Sequence, residues 1–191
     1  EILRVAERLA ERGLDPDVDI APLYGVLDPR DQDRAIAPAP PGRRKVVLAT
    51  DIAQTSLTIE GVRVVIDAGF NRAPRFDPVS GLTRLETVRV SRASADQRRG
   101  RAGRTEPGVC YRLWDEPQTR ALAAFDRPEI TETDLSRLAL DLAVWGARDA
   151  AGLAFLDPPP KGALAEARAL LAGFGALDGQ GGLTDHGRAL A

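Results

Sequence analysis

The sequence predicts an α/β fold, in which a parallel sheet is covered by helices on both faces and a mostly helical region follows. Short apolar runs at 18–23, 45–49 and 62–66 predict strands of the sheet. Segments with helical spacing alternate with these runs, which is typical of parallel strands buried on both faces. From Pro128 onward the pattern is largely helical, which indicates a second domain.

The spacing of apolar residues and the positions of Gly and Pro predict the helices of the first part. Apolar residues at helical spacing predict a helix over 2–12, and Gly13 is a typical residue after a helix end. The strand at 18–23 follows. A short helix is expected over 31–36, and the proline-rich stretch 38–41 ends it.

Residues 72–90 contain two strand-like runs on either side of a turn, and this pattern predicts an inserted β-hairpin. Turn-forming residues at 77–81 separate two strand-like runs there. A helix opened by a Ser or Asp cap is expected over 94–102, and a strand over 109–113. Residues 117–127 are predicted to be a connector.

The C-terminal region predicts a winged-helix domain. Its expected elements are two helices, a glycine-rich turn segment and a last helix, at 135–145, 163–171, 176–183 and from Asp185. Helices combined with a small hairpin that turns at glycine residues are typical of a winged helix. We therefore expect two domains, residues 1–127 and residues 128–191.

The composition is that of an ordinary globular protein, with 43% hydrophobic and 28% charged residues. No run approaches the roughly 18 apolar residues of a membrane span, and we expect no signal-peptide leader. One Cys and one His exclude a disulfide framework and a multi-cysteine metal site. We expect a cytoplasmic location. Because the chain begins with Glu1 and has no Met, we interpret it as part of a longer protein.

The residues 97–104 are the most informative stretch. Between 84 and 104 seven arginines accompany only two acidic residues. On a helix, Gln97, Arg101 and Arg104 would share one face. The paired N–H donors of a guanidinium group suit phosphate oxygens. The alternative is a solvated basic helix, but two glycines inside a helix each cost about 1 kcal/mol relative to Ala. The stretch therefore indicates a phosphate site, at which a glutamine could orient an attacking water.

A second polar segment, 49–61, follows the strand at 45–49 and is rich in hydroxyl groups. Ligands of open α/β sheets bind at the carboxyl ends of strands. A capped turn, in which Thr and Asp satisfy the backbone, is the alternative for this segment taken alone.

Together the two segments resemble motifs V and VI of superfamily 2 helicases, in the DEAH-box branch. KVVLATDIAQTSLTIEGV is similar to motif V, SADQRRGRAGRTEPGVCYRLW to motif VI, and LYGVLDPRDQDRAIAPAP to the block that precedes them. FDPVSGLTRLETVRVSRAS resembles the bacterial HrpB-type group of that family. The resemblance implies the second RecA-like domain of an ATP-dependent RNA helicase, followed by a winged helix.

The resemblance also implies roles for single residues. Arg101 would be the arginine finger at the γ-phosphate, Arg104 a further phosphate contact, and Gln97 the residue that positions the attacking water. The implied nucleotide-binding residues are Gly100, Glu60, Ser56, Thr58 and Ile36, and the implied contacts to the RNA backbone are Thr50 and Asp51. None of these residues is expected to bind a metal.

Three positions depart from the family pattern. Asp51 stands where Asn is usual, so a carboxylate would lie beside an RNA phosphate and repel it. Ile36 stands where many relatives have an aromatic residue that stacks on the base, so nucleotide selection should be looser. Gln54 replaces a usual Glu, which is a milder change.

The sequence lacks a phosphate loop and a DEAH segment. We therefore expect ATP to bind in a cleft shared with an upstream RecA-like domain, which would supply the Mg²⁺ ligands, and we expect the chain alone to be inactive. The domain's first strand is also expected upstream, which would leave an unpaired sheet edge. Two alternatives stay open: a non-catalytic module that binds nucleic acid or protein, and a helicase that acts on DNA.

Overall fold

The computed structural model of the chain describes residues 1–55, 57–77, 80–147 and 149–191, with the backbone alone at Thr55. The described chain forms two units. Unit 1 comprises 1–72 and 87–126, and unit 2 comprises 73–86 and 127–191. None of the helices within these ranges is long and apolar enough to cross a membrane.

The strands of unit 1 pair in parallel, as the sequence predicted. β1 (Val18–Leu23) pairs with β2 (Arg44–Ala49), so that Val18 lies opposite Arg44. β3 (Val64–Asp67) pairs with β6 (Val109–Arg112), so that Asp67 lies opposite Arg112. The strands of the described ranges thus form two parallel pairs, and β2 and β3 each keep one edge without a neighbouring strand.

The first three helices of unit 1 are α1 (Ile2–Glu11), α2 (Pro29–Ile36) and the single turn α3 (Ile52–Thr55). α2 begins two residues before the predicted start, because the Asp28 carboxylate caps it and Pro29 fits its first turn. Leu23, fully buried, packs with Ala21 and Ala35 in the core that α2 covers.

The fourth helix differs from its prediction at both ends. α4 (Arg92–Arg99) begins after Ser91, whose hydroxyl accepts a hydrogen bond from the Ser94 amide at 3.0 Å. It ends at Gly100, where the chain tightens into a 3-10 turn over Gly100–Gly103. The predicted α-helix over 94–102 is therefore wrong in its bounds, and the two glycines lie in the tight turn rather than inside the helix.

The predicted connector at 117–127 is partly helical, because α5 spans Glu116–Ala121 with Pro117 in its first turn. After it, the Arg92 amide donates to the Ala123 carbonyl at 2.8 Å, and this bond ties the chain to the start of α4. Val90, Ala95 and Leu122 form a second small core of unit 1.

A β-ribbon is present at the predicted hairpin: β4 (Phe70–Asp77) pairs with β5 (Leu82–Arg89). Two residues of the predicted turn, Pro78 and Val79, lie outside the described residues.

Unit 2 contains three α-helices in its described residues, α6 (Ser136–Val144), α7 (Lys161–Gly173) and α8 (Asp185–Leu190). The glycine-rich segment between α7 and α8 closes on itself through an antiparallel bridge between Leu177 and Leu183. Leu140, Leu142, Leu164 and Leu171 belong to the core that joins α6 to α7.

Candidate functional site

A surface cavity of about 380 Å³ lies in unit 1. Its lining consists of five residues of α3, of α4 and of the turn after it, namely Gln54, Gln97, Gly100, Arg101 and Arg104. Four of these residues belong to the stretch that the sequence identified as a phosphate site. The structure therefore brings Gln97, Gly100, Arg101 and Arg104 together, even though they do not lie on one continuous α-helix.

The tight turn after α4 shapes this cavity. Arg101 lies in this turn, and its guanidinium group contacts the backbone of α3. A Cβ atom added to Gly100 would meet no atom of the described residues within 4 Å. Packing against the protein thus does not require glycine at this position, and Gly100 lines the open cavity.

The Arg101 side chain is anchored to the backbone of 54–57. Its Nε donates to the Gln54 carbonyl at 3.0 Å, its Nη2 donates to the same oxygen, and its Nη1 donates to the Leu57 carbonyl at 3.0 Å. A guanidinium carries five N–H groups. These three bonds therefore hold the group in place and leave two N–H groups for a ligand.

The charge of the cavity is positive. Burial and the neighbouring Arg104 lower the pKa of the Arg101 guanidinium from its ordinary value. Arginine nevertheless stays protonated in proteins. Arg104 lies at the rim, where its Nη1 donates to the Thr58 hydroxyl at 3.2 Å. Two guanidinium groups that have no carboxylate partner among the described residues are therefore available to an anion.

An ion pair between Arg98 and Asp67 lies next to the cavity residue Gln54, whose Oε1 accepts from Arg98. The Arg98 Nη1 donates to Asp67 Oδ1 and to the Phe70 carbonyl, both at 3.0 Å. The Asp67 side chain is 1% exposed, and its Oδ1 also accepts from the Gly69 amide at 2.9 Å. Its other oxygen, Oδ2, is buried and has no hydrogen-bond partner in the described part of the chain. Since Asp67 neutralises Arg98, the net positive charge belongs to Arg101 and Arg104.

Gln54 is the site residue that the sequence did not single out. Its Nε2 donates to Gln97 Oε1 at 2.9 Å and to the Ser94 hydroxyl at 2.8 Å, and its Oε1 accepts from Arg98 Nε at 2.9 Å. The replacement of a usual Glu by Gln at this position was the only signal in the sequence.

The other predicted site residues do not line the cavity. Thr50 and Asp51 are exposed at the carboxyl end of β2, Glu60 is exposed in the turn before Gly61, and Ile36 is partly buried at the end of α2. Thr58 is connected to the site through Arg104 alone among the described residues. Ser56, the remaining predicted nucleotide contact, lies outside the described residues.

The chemistry of the cavity is that of an oxyanion site. The anchored guanidinium group of Arg101, the second one of Arg104 at the rim, a glutamine amide and an open glycine backbone suit phosphate oxygens. No group of three His, Cys, Asp or Glu within the described ranges is close enough to hold a metal ion.

Comparisons with known proteins identify the family to which the chain is similar. Residues 2–106 match the family model described as the helicase conserved C-terminal domain. The chain is 53% identical over 180 residues to the ATP-dependent RNA helicase HrpB of Escherichia coli, and 45% identical over 177 residues to the pre-mRNA-splicing factor ATP-dependent RNA helicase prp22 of Schizosaccharomyces pombe. These matches cover 94% and 92% of this chain, but only 22% and 15% of the two relatives.

Two solved structures of E. coli HrpB superpose on the chain with TM-scores of 0.87 and 0.91 at 52% identity. Each superposition covers 98% of this chain and about a quarter of the other, 23% and 24%. The chain thus spans less than a quarter of the length of the proteins that it matches here.

Proposed function

The chain belongs to the helicase conserved C-terminal domain family, and we propose that it is the second motor half of an ATP-dependent RNA helicase. In the parent protein, ATP would bind in a cleft between an upstream RecA-like domain and unit 1. Hydrolysis would open and close that cleft and so move the protein along RNA.

The observation that carries this proposal is the cavity that brings together Gln97, Gly100, Arg101 and Arg104. Phosphoryl transfer depends mainly on positioning and on stabilising charge that spreads over the phosphate oxygens. Arg101 suits the task of an arginine finger, because its anchored guanidinium keeps two N–H groups for the γ-phosphate. Such a residue contributes about 10³- to 10⁵-fold in rate.

The remaining residues have supporting roles. Arg104 would contact a second phosphate oxygen, and Gln97 would hold the attacking water or an oxygen of the γ-phosphate. Gly100 would allow that phosphate to approach the backbone. Thr58, Ser56, Glu60 and Ile36 are proposed as further nucleotide contacts, which form when the upstream domain closes over unit 1.

We assign the phosphate loop and the residues that hold Mg²⁺ to the part of the parent outside this chain. When bound, Mg²⁺ would neutralise charge on the β- and γ-phosphates. Arg101, Arg104 and Gln97 would act on the γ-phosphate from the opposite wall of the cleft.

RNA is the proposed nucleic acid because both relatives described above are named RNA helicases. Thr50 and Asp51 lie exposed at the carboxyl end of β2, where a nucleic-acid backbone could pass. At Asp51 the contact would have to be made by the main chain, since its carboxylate would repel a phosphate. The β4–β5 ribbon is proposed to guide or separate strands.

We further propose two domains, 1–127 and 128–191, of which the second is a winged helix. The division of the structure after Asp126 supports this boundary. The three helices of unit 2 and the Leu177–Leu183 bridge support the winged-helix assignment. The structure groups the outer part of the ribbon, 73–86, with unit 2. A cytoplasmic location stays a prediction.

RNA-stimulated ATP hydrolysis tests the proposal, measured side by side for the full-length parent and for the 191-residue chain. We expect turnover by the parent alone, because this chain would hold one wall of a shared site. A parent that hydrolyses no ATP with any RNA or DNA would contradict the proposal and would favour the non-catalytic binding module. Stimulation by DNA but not by RNA would favour the DNA helicase.

A further inference from the structure

We propose that residues 122–126, which we call the strap, hold α4 in place, and that Ser94 and Asp126 are the positioning residues of this contact. The inference rests on the proposed function and adds these residues to its machinery. α4 carries Gln97, and the turn that follows α4 carries Arg101. The position of α4 therefore sets where both groups lie in the cavity.

The first turn of α4 begins with backbone N–H groups that have no partner inside the helix. A helix usually satisfies such groups with the side chain of its N-cap residue or with water. In α4 the N-cap Ser91 satisfies one of them, the Ser94 amide. The amides of Arg92 and Ala93 instead donate to the carbonyls of residues 123 and 124, at 2.8 and 3.1 Å. The start of α4 is therefore bonded to a segment that lies beyond β6 and α5 in the chain.

Side chains add to these two backbone bonds. Ser94 is 2% exposed, and its hydroxyl donates to the Asp126 carboxylate. A charged acceptor makes such a bond stronger than a neutral one does, and a negative charge near a helix N-terminus is favourable. At the other end of the strap, Leu122 packs with Val90 and Ala95 in a small core. The strap thus holds the first turn of α4 through one apolar contact, two main-chain bonds and one charge-assisted bond.

The other end of α4 is held separately. The Arg98 Nη1 donates to Asp67 and to the Phe70 carbonyl, both at 3.0 Å. Loss of the strap contacts would leave that end attached and allow the first turn to shift. Gln97 lies within one helical turn of Ser94, so such a shift would reach it. Misplacement of a reacting group by about 1 Å can cost about 100-fold in rate.

The substitution Arg92→Pro removes one of the backbone bonds with little other change. Arg92 is the first residue of α4, a position that proline fits, and the preceding Ser91 is already extended, with φ −77° and ψ 165°. Proline has no N–H, so the bond to the Ala123 carbonyl is lost. The reference is Arg92→Ala, which removes the same exposed side chain but keeps the N–H.

The experiment measures RNA-saturated ATP hydrolysis by the full-length parent. Ser94→Ala and Asp126→Ala should each lower kcat about 10-fold and change KM for ATP less than about twofold, because the strap acts on groups that work in the transition state. Asp126→Asn should stay within about twofold of wild-type kcat, since its amide oxygen accepts the same hydrogen bond. Arg92→Pro should have a kcat about 3- to 10-fold below that of Arg92→Ala.

The matched control is Ser136→Ala. Ser136 also donates its hydroxyl to a carboxylate, that of Asp134 at 3.2 Å, but it does so at the start of α6 in unit 2. This control should retain the wild-type kcat.

Two further measurements separate positioning from damage to the fold. The stoichiometry of RNA binding without ATP counts the folded molecules, and kcat is expressed per RNA-binding molecule. A loss that comes from unfolding alone disappears on that scale, whereas a misplaced α4 still lowers kcat. The double variant with Ser94→Ala and Asp126→Ala should lie within about twofold of either single variant, because both substitutions remove the same bond.

The negative results have different meanings. In an active wild-type parent, a kcat within about twofold of wild type for Asp126→Ala overturns this inference alone. An Asp126→Asn variant as slow as Asp126→Ala also overturns it, as does a kcat for Arg92→Pro equal to that of Arg92→Ala. The Arg92 pair decides the question if the Ser94 and Asp126 variants do not fold. A wild-type parent without RNA-stimulated hydrolysis overturns the proposed function and, with it, the inference.

Discussion

Asp67→Ala should destabilise unit 1 by about 3 kcal/mol. The substitution removes the acceptor of two bonds, from Arg98 Nη1 at 3.0 Å and from the Gly69 amide at 2.9 Å. A charged hydrogen bond contributes about 1.5–3 kcal/mol and a neutral one about 1 kcal/mol. The Arg98 side chain is only 16% exposed, so its charge would also lose its partner in a place that water reaches poorly.

Asp96→Ala is the matched control, because Asp96 also pairs with arginines, Arg112 at 2.7 Å and Arg99 at 3.6 Å. The Asp96 side chain is 53% exposed, however. Exposed ion pairs contribute about 0–1 kcal/mol, and alanine is a better helix former than aspartate. We therefore expect this variant to lose less than about 1 kcal/mol.

Urea unfolding of the 191-residue chain measures both variants. The exposed Trp145 is first replaced by Phe, so that Trp114 in unit 1 is the sole tryptophan that reports unfolding. Equal midpoint shifts for Asp67→Ala and Asp96→Ala would refute the claim that the ion pair between Asp67 and Arg98 stabilises unit 1. A loss of less than about 1 kcal/mol for Asp67→Ala would refute it as well.

Two further predictions concern the packing of each unit. Gly108→Ala should prevent unit 1 from folding or cost more than about 3 kcal/mol, because the new Cβ would lie 1.6 Å from the Ala102 carbonyl oxygen and 2.7 Å from that of Arg63. Gly103→Ala, where no described atom lies within 4 Å of the added Cβ, should leave the urea midpoint unchanged or raise it slightly. In unit 2, Leu142→Ala should cost about 2–5 kcal/mol, because Leu142 is 2% exposed in the core between α6 and α7. Leu156→Ala, at a position that is 98% exposed, should cost nothing measurable by the same unfolding curve, and equal costs for the two leucines would contradict the assigned core.

The strands of the fold could be predicted from sequence because their apolar runs are short and sharply bounded. β1 matches its prediction at both ends, and β2 begins one residue earlier than predicted. The bounds of α4 were missed because two serines, Ser91 and Ser94, are equally good caps in sequence. Only the structure shows that Ser91 provides the oxygen. Gln97, Arg101 and Arg104 are spaced as on an α-helix. The spacing rules therefore do not detect the change to a 3-10 turn over residues 100–103.

The candidate site was predictable in part. The arginines and glycines of 97–104 carry a recognisable pattern, and the structure places four of those residues around one cavity. Gln54 carries no such pattern, because its partners Ser94, Gln97 and Arg98 are 40–44 residues away in the chain. Contacts at that separation depend on how α3 meets α4, which local sequence rules do not determine.

Arg101 is proposed to stabilise the charge on a phosphoryl group during ATP hydrolysis. The most direct test measures RNA-stimulated ATP turnover and RNA affinity of the full-length parent carrying Arg101→Ala, next to the same parent carrying Arg99→Ala. Arg99 lies two residues away, and its side chain is 63% exposed. Arg101→Ala should abolish turnover, a loss of about 10³-fold or more, while RNA affinity stays near wild type. Arg99→Ala should retain turnover. Wild-type turnover in the Arg101→Ala parent would contradict this role of Arg101.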